Sequence, residues 1–307
     1  MNAFPIGRPT EAGAVPGVAI PVFIRNVQHH FTTVDAYSDG AINAWGFLDR
    51  PLFRAKVRTG WVATAPPAGA TLSAYDLGSA TVAEGTWPLT PDDILDRVEE
   101  AIRELNPEGR DLLDMQGSNI ELRGNVKYAK LGYTFKRPYV PGNIMLFGER
   151  TLIFRRTAKG FLLDNWFVFN DGSSRIGTTE PLVDLQDVML RTFSGELSTT
   201  VPDGALIELG DLGSFRVGGG RWLVDMAERR REMLDLLAQT RGSPSSRQVC
   251  GDAFKSFLQA PTEENRERLR TAYEAVPAHL RRLLGGMSEK DSRIRKAVYG
   301  DEGESLG

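Results

Sequence analysis

The chain has 307 residues, enough for two domains or one large one. Charged residues make up 25% of it and sum to a formal net charge of −3, which by itself favours no particular class of partner. No apolar run reaches the roughly 18 to 20 residues of a membrane span, and the N-terminus lacks a basic region followed by an apolar core. The single cysteine, Cys250, excludes an intrachain disulfide and a cysteine-based zinc site. We therefore expect a cytoplasmic protein without membrane attachment.

Residues 1–20 are rich in proline, glycine and alanine and are predicted to form a flexible lead-in. The sequence then repeats part of itself. Residues 60–87 align without a gap on residues 195–222 at an offset of 135, and 12 of the 28 positions are identical. Upstream, residues 22–25 match residues 152–155 at an offset of 130. Self-similarity of this kind predicts a duplicated structural unit, here spanning residues 21–107 and 151–241.

Each repeat is predicted to contain several strands followed by one helix. Asp39-Gly40 lies between β-prone runs and indicates a hairpin turn, and Asp171-Gly172 repeats it. The first helix is predicted to begin after the cap Thr90 and to end at Asn106-Pro107. Its counterpart is predicted from about Met226 to Gln239.

Residues 108–150 form a basic, β-prone connector between the repeats, and residues 242–300 form a helical C-terminal domain after a Gly/Ser/Pro linker. Residues 301–307 are predicted to be a disordered tail. The sequence therefore predicts an α+β fold with two tandem β-rich units, each ending in a helix, plus a small helical segment. The two units are expected to pack as a pseudo-symmetric pair.

Three strings of the first repeat carry a resemblance to a known family: YSDGAINAWGFLD, GWVATAPPAGATL and RELNP. The later string VPAHLRRLLGGMSEKDSRIRKAVYG resembles a segment of the same proteins. Together these strings cover about half of the chain. The chain thus resembles an uncharacterised family of bacterial domains of unknown function, and the resemblance therefore identifies no active-site residues.

The sequence contains no nucleophile elbow, phosphate-binding loop or zinc-protease motif. We assign no catalytic residue, no metal ligand and no cofactor. His29 and His30 are the candidates for an acid–base site, which requires Asp35, Asp39 or Asp49 to converge on one imidazole. The alternative is a polar turn at the start of a strand. His279 follows Pro277 and is expected at the surface of a helix start.

Two tryptophans occur in the first repeat only. Trp45 aligns with Gly177 and Trp61 with Glu196. An aromatic residue that the second repeat replaces by glycine or an acid is not required by the shared fold. Tryptophan is favoured in binding hot spots, so Trp45 and Trp61, together with His29 and His30, are candidates for partner binding. Local packing is the alternative.

The densest charge lies between the repeats, where residues 123–159 hold nine basic residues and one acid. Aromatic residues alternate with the basic ones, a pattern that can follow a phosphate backbone and stack on bases. The polyanion-binding candidates are Arg123, Lys127, Lys130, Lys136, Arg137, Arg155 and Arg156. A solvated face on ordinary strands and contact with an acidic surface of another subunit are the alternatives.

We therefore predict a non-enzymatic binding protein of a bacterial cell that uses unequal copies to hold a macromolecular partner, expected to be a protein. A defence or toxin-immunity setting would suit it. The first alternative is nucleic-acid or polyanion binding through residues 123–159. The second is an enzyme with an acid–base site near His29 and His30. Oligomeric state does not follow from the sequence.

Overall fold

A computed structural model describes residues 3–10, 13–110, 120–123, 126–129, 136–285 and 290–300. The chain divides into two compact units, Met1–Trp222 and Leu223–Gly307. The first unit contains all the described strands and three helices. In chain order the strands are β1 (Phe4–Thr10), β2 (Gly13–Asn26), β3 (Gln28–Tyr37), β4 (Ile42–Asn43), β5 (Phe47–Leu48), β6 (Val62–Ala63), β7 (Thr71–Ala74), β8 (Gly78–Thr86), β9 (Ile120–Arg123), β10 (Val126–Ala129), β11 (Arg137–Val140), β12 (Asn143–Arg156), β13 (Phe161–Phe169), β14 (Ser173–Ile176), β15 (Val183–Asp184), β16 (Leu197–Ser198), β17 (Leu206–Glu208) and β18 (Ser214–Trp222). The helices of this unit are α1 (Arg50–Arg58), α2 (Pro91–Leu105) and α3 (Leu185–Phe193).

Ten of these strands close into a barrel, which the sequence did not predict. The first copy supplies β1, β2, β3, β7 and β8 in neighbouring order, and the second supplies β11, β12, β13, β17 and β18 in the same order. Only the β3–β7 and β13–β17 neighbours in this ring are parallel. The α+β class and the duplication are confirmed, and the prediction is corrected by joining the two β-rich units into one ring.

The copies meet at two strand pairs that are nearly self-complementary. In the β8–β18 pair, Val82 lies opposite Val217, its own counterpart at the offset of 135. On either side, Thr86 pairs with Ser214 and Ser79 pairs with Arg221, and the offset of 135 relates one pair to the other. The β1–β11 pair closes the ring on the side opposite the β8–β18 pair. A pseudo-twofold axis therefore runs through both junctions.

Two predicted boundaries are wrong. Residues 1–20 are not a flexible lead-in, because β1 and most of β2 lie there and bury Phe4 and Ile6. The connector 108–150 is also too long, because β11 and the first half of β12 belong to the second copy of the barrel. Strand β1 was hidden from the sequence pattern because FPIGRPT contains two prolines and a glycine. The predicted tail 301–307 lies outside the described residues.

The structure changes the alignment of the upstream parts of the two repeats by one residue relative to the alignment read from the sequence. The amide of Arg25 donates to the carbonyl of Trp61 at 2.8 Å, and that of Arg156 donates to the carbonyl of Glu196 at 2.8 Å. Because Trp61 and Glu196 are counterparts, Arg25 corresponds to Arg156, an offset of 131 rather than 130. A slip of one residue would turn every side chain of the strand to the other face.

Two apolar clusters fill the barrel, and each contains side chains from both copies. One includes Phe31 and the other includes Tyr37. Because alternate residues of a strand share a face, Thr33 and Asp35 lie between them on the inward face of β3. The barrel interior therefore carries polar groups between two apolar clusters.

Helices α1 and α2 cover the outer face of β2 and β3 in the first copy. The predicted helix after Thr90 is confirmed as α2, where the Thr90 side chain accepts from the Asp93 amide in a capping box. The short helices α1 and α3 were not predicted. Each begins at an aspartate cap, Asp49 and Asp184 respectively, within a sequence that carries no long apolar repeat.

The second unit is helical. Its helices are α4 (Met226–Thr240), α5 (Ser246–Gln259), α6 (Glu263–Ala275), α7 (Ala278–Arg281) and α8 (Ser292–Tyr299). Helix α4 confirms the predicted helix from Met226. A small core around Cys250 and Tyr273 holds α5, α6 and α8 together.

Candidate functional site

Three of the four residues predicted to bind a partner lie together on the first copy. The ring centroids of His30 and Trp45 are 5.1 Å apart, and those of Trp45 and Trp61 are 6.0 Å apart at a right angle. The ammonium of Lys56 lies 4.4 Å from the centre of the Trp61 ring. We call His30, Trp45 and Trp61 the aromatic cluster. Trp45 is 46% exposed, which is high for a tryptophan in a packed group.

The turn between β4 and β5 positions Trp45 through its backbone. Trp45 has φ 61°, in the left-handed region that bulky residues rarely adopt. The side chain of Asn43 accepts a hydrogen bond from the Gly46 amide at 3.0 Å and holds the turn closed. Such a conformation in a residue other than glycine costs about 1–2 kcal/mol. Strain of this kind is concentrated at functional sites.

The second copy replaces the aromatic cluster by ion pairs. Arg191, the counterpart of Lys56, donates to Glu180 and to Glu196 at 2.6 Å each. Arg155 lies 3.2 Å from the same Glu180. The hydrogen bonds that Arg191 donates to Glu180 and Glu196 raise the pKa of Arg191, and the bond from Arg191 lowers the pKa of Glu196. The charges of this site are therefore satisfied within the chain.

A cavity of about 540 Å³ lies beside the aromatic cluster. His30 and Trp45 line it together with Tyr75, which is 67% exposed. Strands of both copies form its wall, and charged side chains from the second copy, including Lys136 and Arg150, face it. The cavity thus combines aromatic rings and the carboxylate of Asp76 from the first copy with charged side chains from the second.

Lys136 connects the two copies. Its ammonium donates to Thr33 Oγ1 and to Asp35 Oδ1, both at 2.7 Å. Asp35 is buried, and Thr33 donates to it at 3.0 Å. Burial lowers the pKa of Lys136, and the nearby carboxylate of Asp35 opposes that shift. The ion pair reaches from the segment before β11 to β3, which lies three strands away in the ring.

Arg150 and Glu149 are further charged residues that the second copy contributes to the wall. Arg150 donates from Nη1 to Asn165 Oδ1 at 2.6 Å. Asn165 is fully buried, and its Nδ2 has no acceptor among the described residues. Burial lowers the pKa of Arg150. Burial also raises the pKa of Glu149, against the opposing charges of Arg137 and Arg150.

His29 does not join the cluster. It lies on the opposite face of β3 from His30, is buried, and has its pKa lowered by burial and by Arg25. The three candidate carboxylates are engaged away from both imidazoles: Asp35 with Lys136, Asp39 with Arg8, and Asp49 as the cap of α1. The structure therefore does not assemble the predicted acid–base arrangement.

The described members of the basic stretch lie in different surroundings. Lys136 lines the cavity, and Arg155 pairs with Glu180. Arg137 and Arg156 are exposed and stack on Phe147 and Phe161, at 4.7 and 5.6 Å from the ring centres. Arg123 and Lys127 belong to the β9–β10 hairpin, and Lys130 lies outside the described residues.

The second unit holds a separate buried polar group. His279 was expected at the surface, but it is buried with its Nε2 3.1 Å from Glu232 Oε2. Arg229 donates to the same Glu232 oxygen at 2.5 Å. Pro277 correctly indicated the start of a helix. It did not show which face of that helix packs against the core of the second unit.

Sequence reasoning missed Arg150, Glu149 and Asn165 as members of a site. These residues lie on β12 and β13. The sequence alone does not show which side chains of these strands face the barrel interior. Among the described residues, no group of three or more His, Cys, Asp or Glu side chains is placed to hold a metal ion. The described helices include none that is long and apolar enough to cross a membrane.

Comparison with known families gives two matches. The domain of unknown function DUF7638 matches residues 8–109 and again residues 145–244. The domain of unknown function DUF7639 matches residues 245–306. The duplication and the resemblance to an uncharacterised family are thereby confirmed. No curated protein and no solved structure matches the chain.

Proposed function

We propose that this chain, which belongs to the DUF7638 family and carries that domain twice, is a non-enzymatic binding protein. It holds a macromolecular partner, expected to be a protein, through the aromatic cluster of the first copy. The single buried cysteine fits a reducing compartment, so we place this binding in the cytoplasm of a bacterial cell, where toxin immunity or defence would suit it.

One observation carries the proposal: equivalent positions hold a partly exposed aromatic cluster in one copy and a closed ion network in the other. The shared fold imposes the same requirements on both copies. It therefore does not explain why only the first copy has these aromatic residues. An exposed tryptophan, such as Trp45, and a cation stacked on an aromatic ring, as Lys56 is on Trp61, are both typical of binding hot spots. The strained backbone of Trp45 supports the same reading, because a glycine at that position would fold with less strain.

The test is affinity capture from the extract of the native host, read by mass spectrometry. The Trp45→Ala/Trp61→Ala double variant should lose a protein that the unmodified chain retains. Phe193→Ala is the matched control, because Phe193 is an aromatic residue of α3 that is 71% exposed in the second copy. A partner retained by the double variant, or lost equally with Phe193→Ala, would contradict the proposal.

Polyanion binding is the second candidate. It is favoured by the exposed Arg137 and Arg156, each stacked on an aromatic ring of the β11–β13 region. Arginine beside an aromatic ring can pair with phosphate while the ring stacks on a base. A single-stranded DNA oligonucleotide titrated at about 50 mM salt tests it, since phosphate contacts are strongest at low salt. Absence of binding there, or binding unchanged by Arg137→Ala/Arg156→Ala, would rule the candidate out.

A further inference from the structure

We infer that the cavity beside the aromatic cluster binds a neutral sugar residue, either a free saccharide or the end of a glycan chain. The exposed aromatic rings would contact the apolar C–H face of the sugar ring, and the charged side chains of the wall would bind its hydroxyl groups. This inference goes beyond the proposed function, because the cavity holds the sugar whereas the aromatic cluster holds the protein partner. The two sites share His30 and Trp45.

The charged side chains that line the cavity leave no surplus of either sign. Lys136 and Arg150 carry the positive charges, and Asp76 and Glu149 carry the negative ones. Asp35, which does not line the cavity, also accepts a hydrogen bond from Lys136. A charged ligand would therefore meet like and unlike charges together and would lose its hydration without a net electrostatic gain. A neutral polar ligand avoids that cost.

Donors and acceptors of this wall both have hydrogen-bonding capacity that the chain does not use. Lys136 uses two of its three N–H groups within the chain, and Arg150 donates only to Asn165 Oδ1 among the described residues. The carboxylate of Glu149 accepts no hydrogen bond from the described residues, yet it lies close enough to Arg150 for their charges to interact. A hydroxyl group both donates and accepts, and its hydrogen bonds to ionised partners are the stronger kind. Neighbouring hydroxyl groups of a sugar therefore match this wall.

Two exposed aromatic residues of the cavity are specific to the first copy. Trp45 and Tyr75 are 46% and 67% exposed, and the second copy has Gly177 and Gly210 at the corresponding positions. The shared fold therefore requires neither ring. Exposed rings offer apolar area to the C–H face of a sugar, while the hydroxyl groups around the sugar remain available to the polar wall.

Backbone strain is also concentrated at this cavity. Four described residues other than glycine have positive φ, and two of them, Trp45 and Asp76, line the cavity with φ of 61° each. Such conformations persist only where the surrounding structure holds them, and they cluster at ligand sites. The volume of about 540 Å³ lies within the range of small-molecule sites, which is roughly 300–1,000 Å³. A sugar residue therefore fits.

The experiment compares sugars of the same ring and different charge by saturation-transfer NMR and isothermal titration calorimetry on the full-length protein. The neutral probes are the methyl glycosides of glucose, galactose, mannose and N-acetylglucosamine, which differ in the groups around the ring. At least one should bind with a Kd of about 1 mM or tighter. The corresponding amino sugar and uronic acid should each bind at least about fivefold more weakly, because each brings an uncompensated charge. No binding by any neutral probe, or tighter binding of a charged counterpart, would overturn the inference.

A tetrasaccharide of the sugar that binds distinguishes the two sources. Binding about tenfold tighter than that of the single sugar identifies a glycan chain, because further residues would make additional contacts. Equal affinity of the two identifies a free saccharide.

Variants separate sugar binding from folding and from partner capture. Glu149→Gln removes one negative charge and should shift the preference toward the uronic acid at least about threefold, a change in selectivity that misfolding cannot produce. Trp45→Ala should weaken binding of the neutral sugar about tenfold, and Phe193→Ala should leave it unchanged. Unchanged selectivity of Glu149→Gln would contradict the inference. For the Trp45→Ala/Trp61→Ala variant, loss of the protein partner with sugar binding intact would overturn this inference alone, and the reverse would overturn the proposed function alone.

Discussion

Trp45 and Gly177 occupy equivalent turns of the two copies and share a left-handed backbone, with φ of 61° and 68°. In the second copy a Cβ at Gly177 would lie 2.7 Å from Oδ2 of Asp164, which lies 3.6 Å from Arg155 of the ion network, so glycine leaves room for that carboxylate. The first copy keeps the same backbone and places its most exposed tryptophan on it. The duplicated turn has therefore diverged in chemistry while its conformation was retained.

This relationship predicts an unusual order of stability at position 45. Trp45→Gly should have a free energy of unfolding about 1 kcal/mol higher than Trp45→Ala, because glycine adopts positive φ without strain. Urea denaturation of both variants measures the difference. At Trp61, whose φ is not positive, the order should reverse because glycine loses more entropy on folding. Finding alanine the more stable substitution at both positions would contradict the role of backbone strain.

The ion network of the second copy should contribute measurably to stability. Arg191→Met removes bonds to Glu180 and Glu196 and should lower the free energy of unfolding by about 1 kcal/mol, more at low salt. Arg216→Met is the matched control, because Arg216 and Glu84 form an exposed pair that should contribute about 0–0.5 kcal/mol. Chemical denaturation at two salt concentrations tests both. Equal effects of the two substitutions would show that the network adds nothing beyond a surface pair.

The pseudo-twofold junction predicts two equivalent glycine requirements. A Cβ at Gly78 would lie 2.2 Å from the carbonyl oxygen of Arg221, and one at Gly213 would lie 2.1 Å from that of Thr86. Gly78→Ala and Gly213→Ala should each cost about 2–4 kcal/mol, because backbone would have to move. Gly219→Ala, with open space around its Cβ, should cost less than about 1 kcal/mol. Thermal denaturation compares the three, and tolerance of either junction variant would argue against the pairing.

The helices and turns could be predicted because their signals are local. Thr90, Asp93 and Pro91 specify the start of α2 within four residues. The Asp39-Gly40 turn is equally local, with Gly40 at φ 79°. The duplication was visible because the segments that contain β7–β8 and β17–β18 align without a gap.

The barrel could not be predicted because its closure depends on distant pairs. Ile6 pairs with Pro138, and neither the proline-containing β1 nor the short β11 has a strand pattern of its own. For the same reason, only part of the site could be predicted. Trp45 and Trp61 were found by comparing the copies, whereas the pair of Lys136 with Asp35 spans 101 positions and exists only once the ring closes.

Cys250 should be unreactive in the folded protein. It is buried in the core of the helical unit, and burial raises the pKa of its thiol to about 11 from 9.0, against a smaller effect of Arg281. Two pKa units correspond to about a hundredfold lower thiolate fraction at neutral pH. Labelling with a thiol-specific disulfide reagent should therefore be at least about a hundredfold slower in buffer than in denaturant. Fast labelling of the native protein would show that this core opens readily.

Glu149 should make stability depend on pH in a defined direction. Burial raises the pKa of Glu149 above its usual value of 4.5, so the folded protein binds the proton more tightly than the unfolded chain does. Stability contributed by this group is present below that value and is lost as pH rises through the folded pKa. Glu149→Gln removes the titration, so the variant should gain stability relative to the unmodified protein between about pH 4.5 and 7. Urea denaturation across this range measures the difference, with Glu84→Gln as an exposed control expected to show little change. A difference that shrinks or stays constant as pH rises would show that Arg137 and Arg150 compensate the buried carboxylate fully.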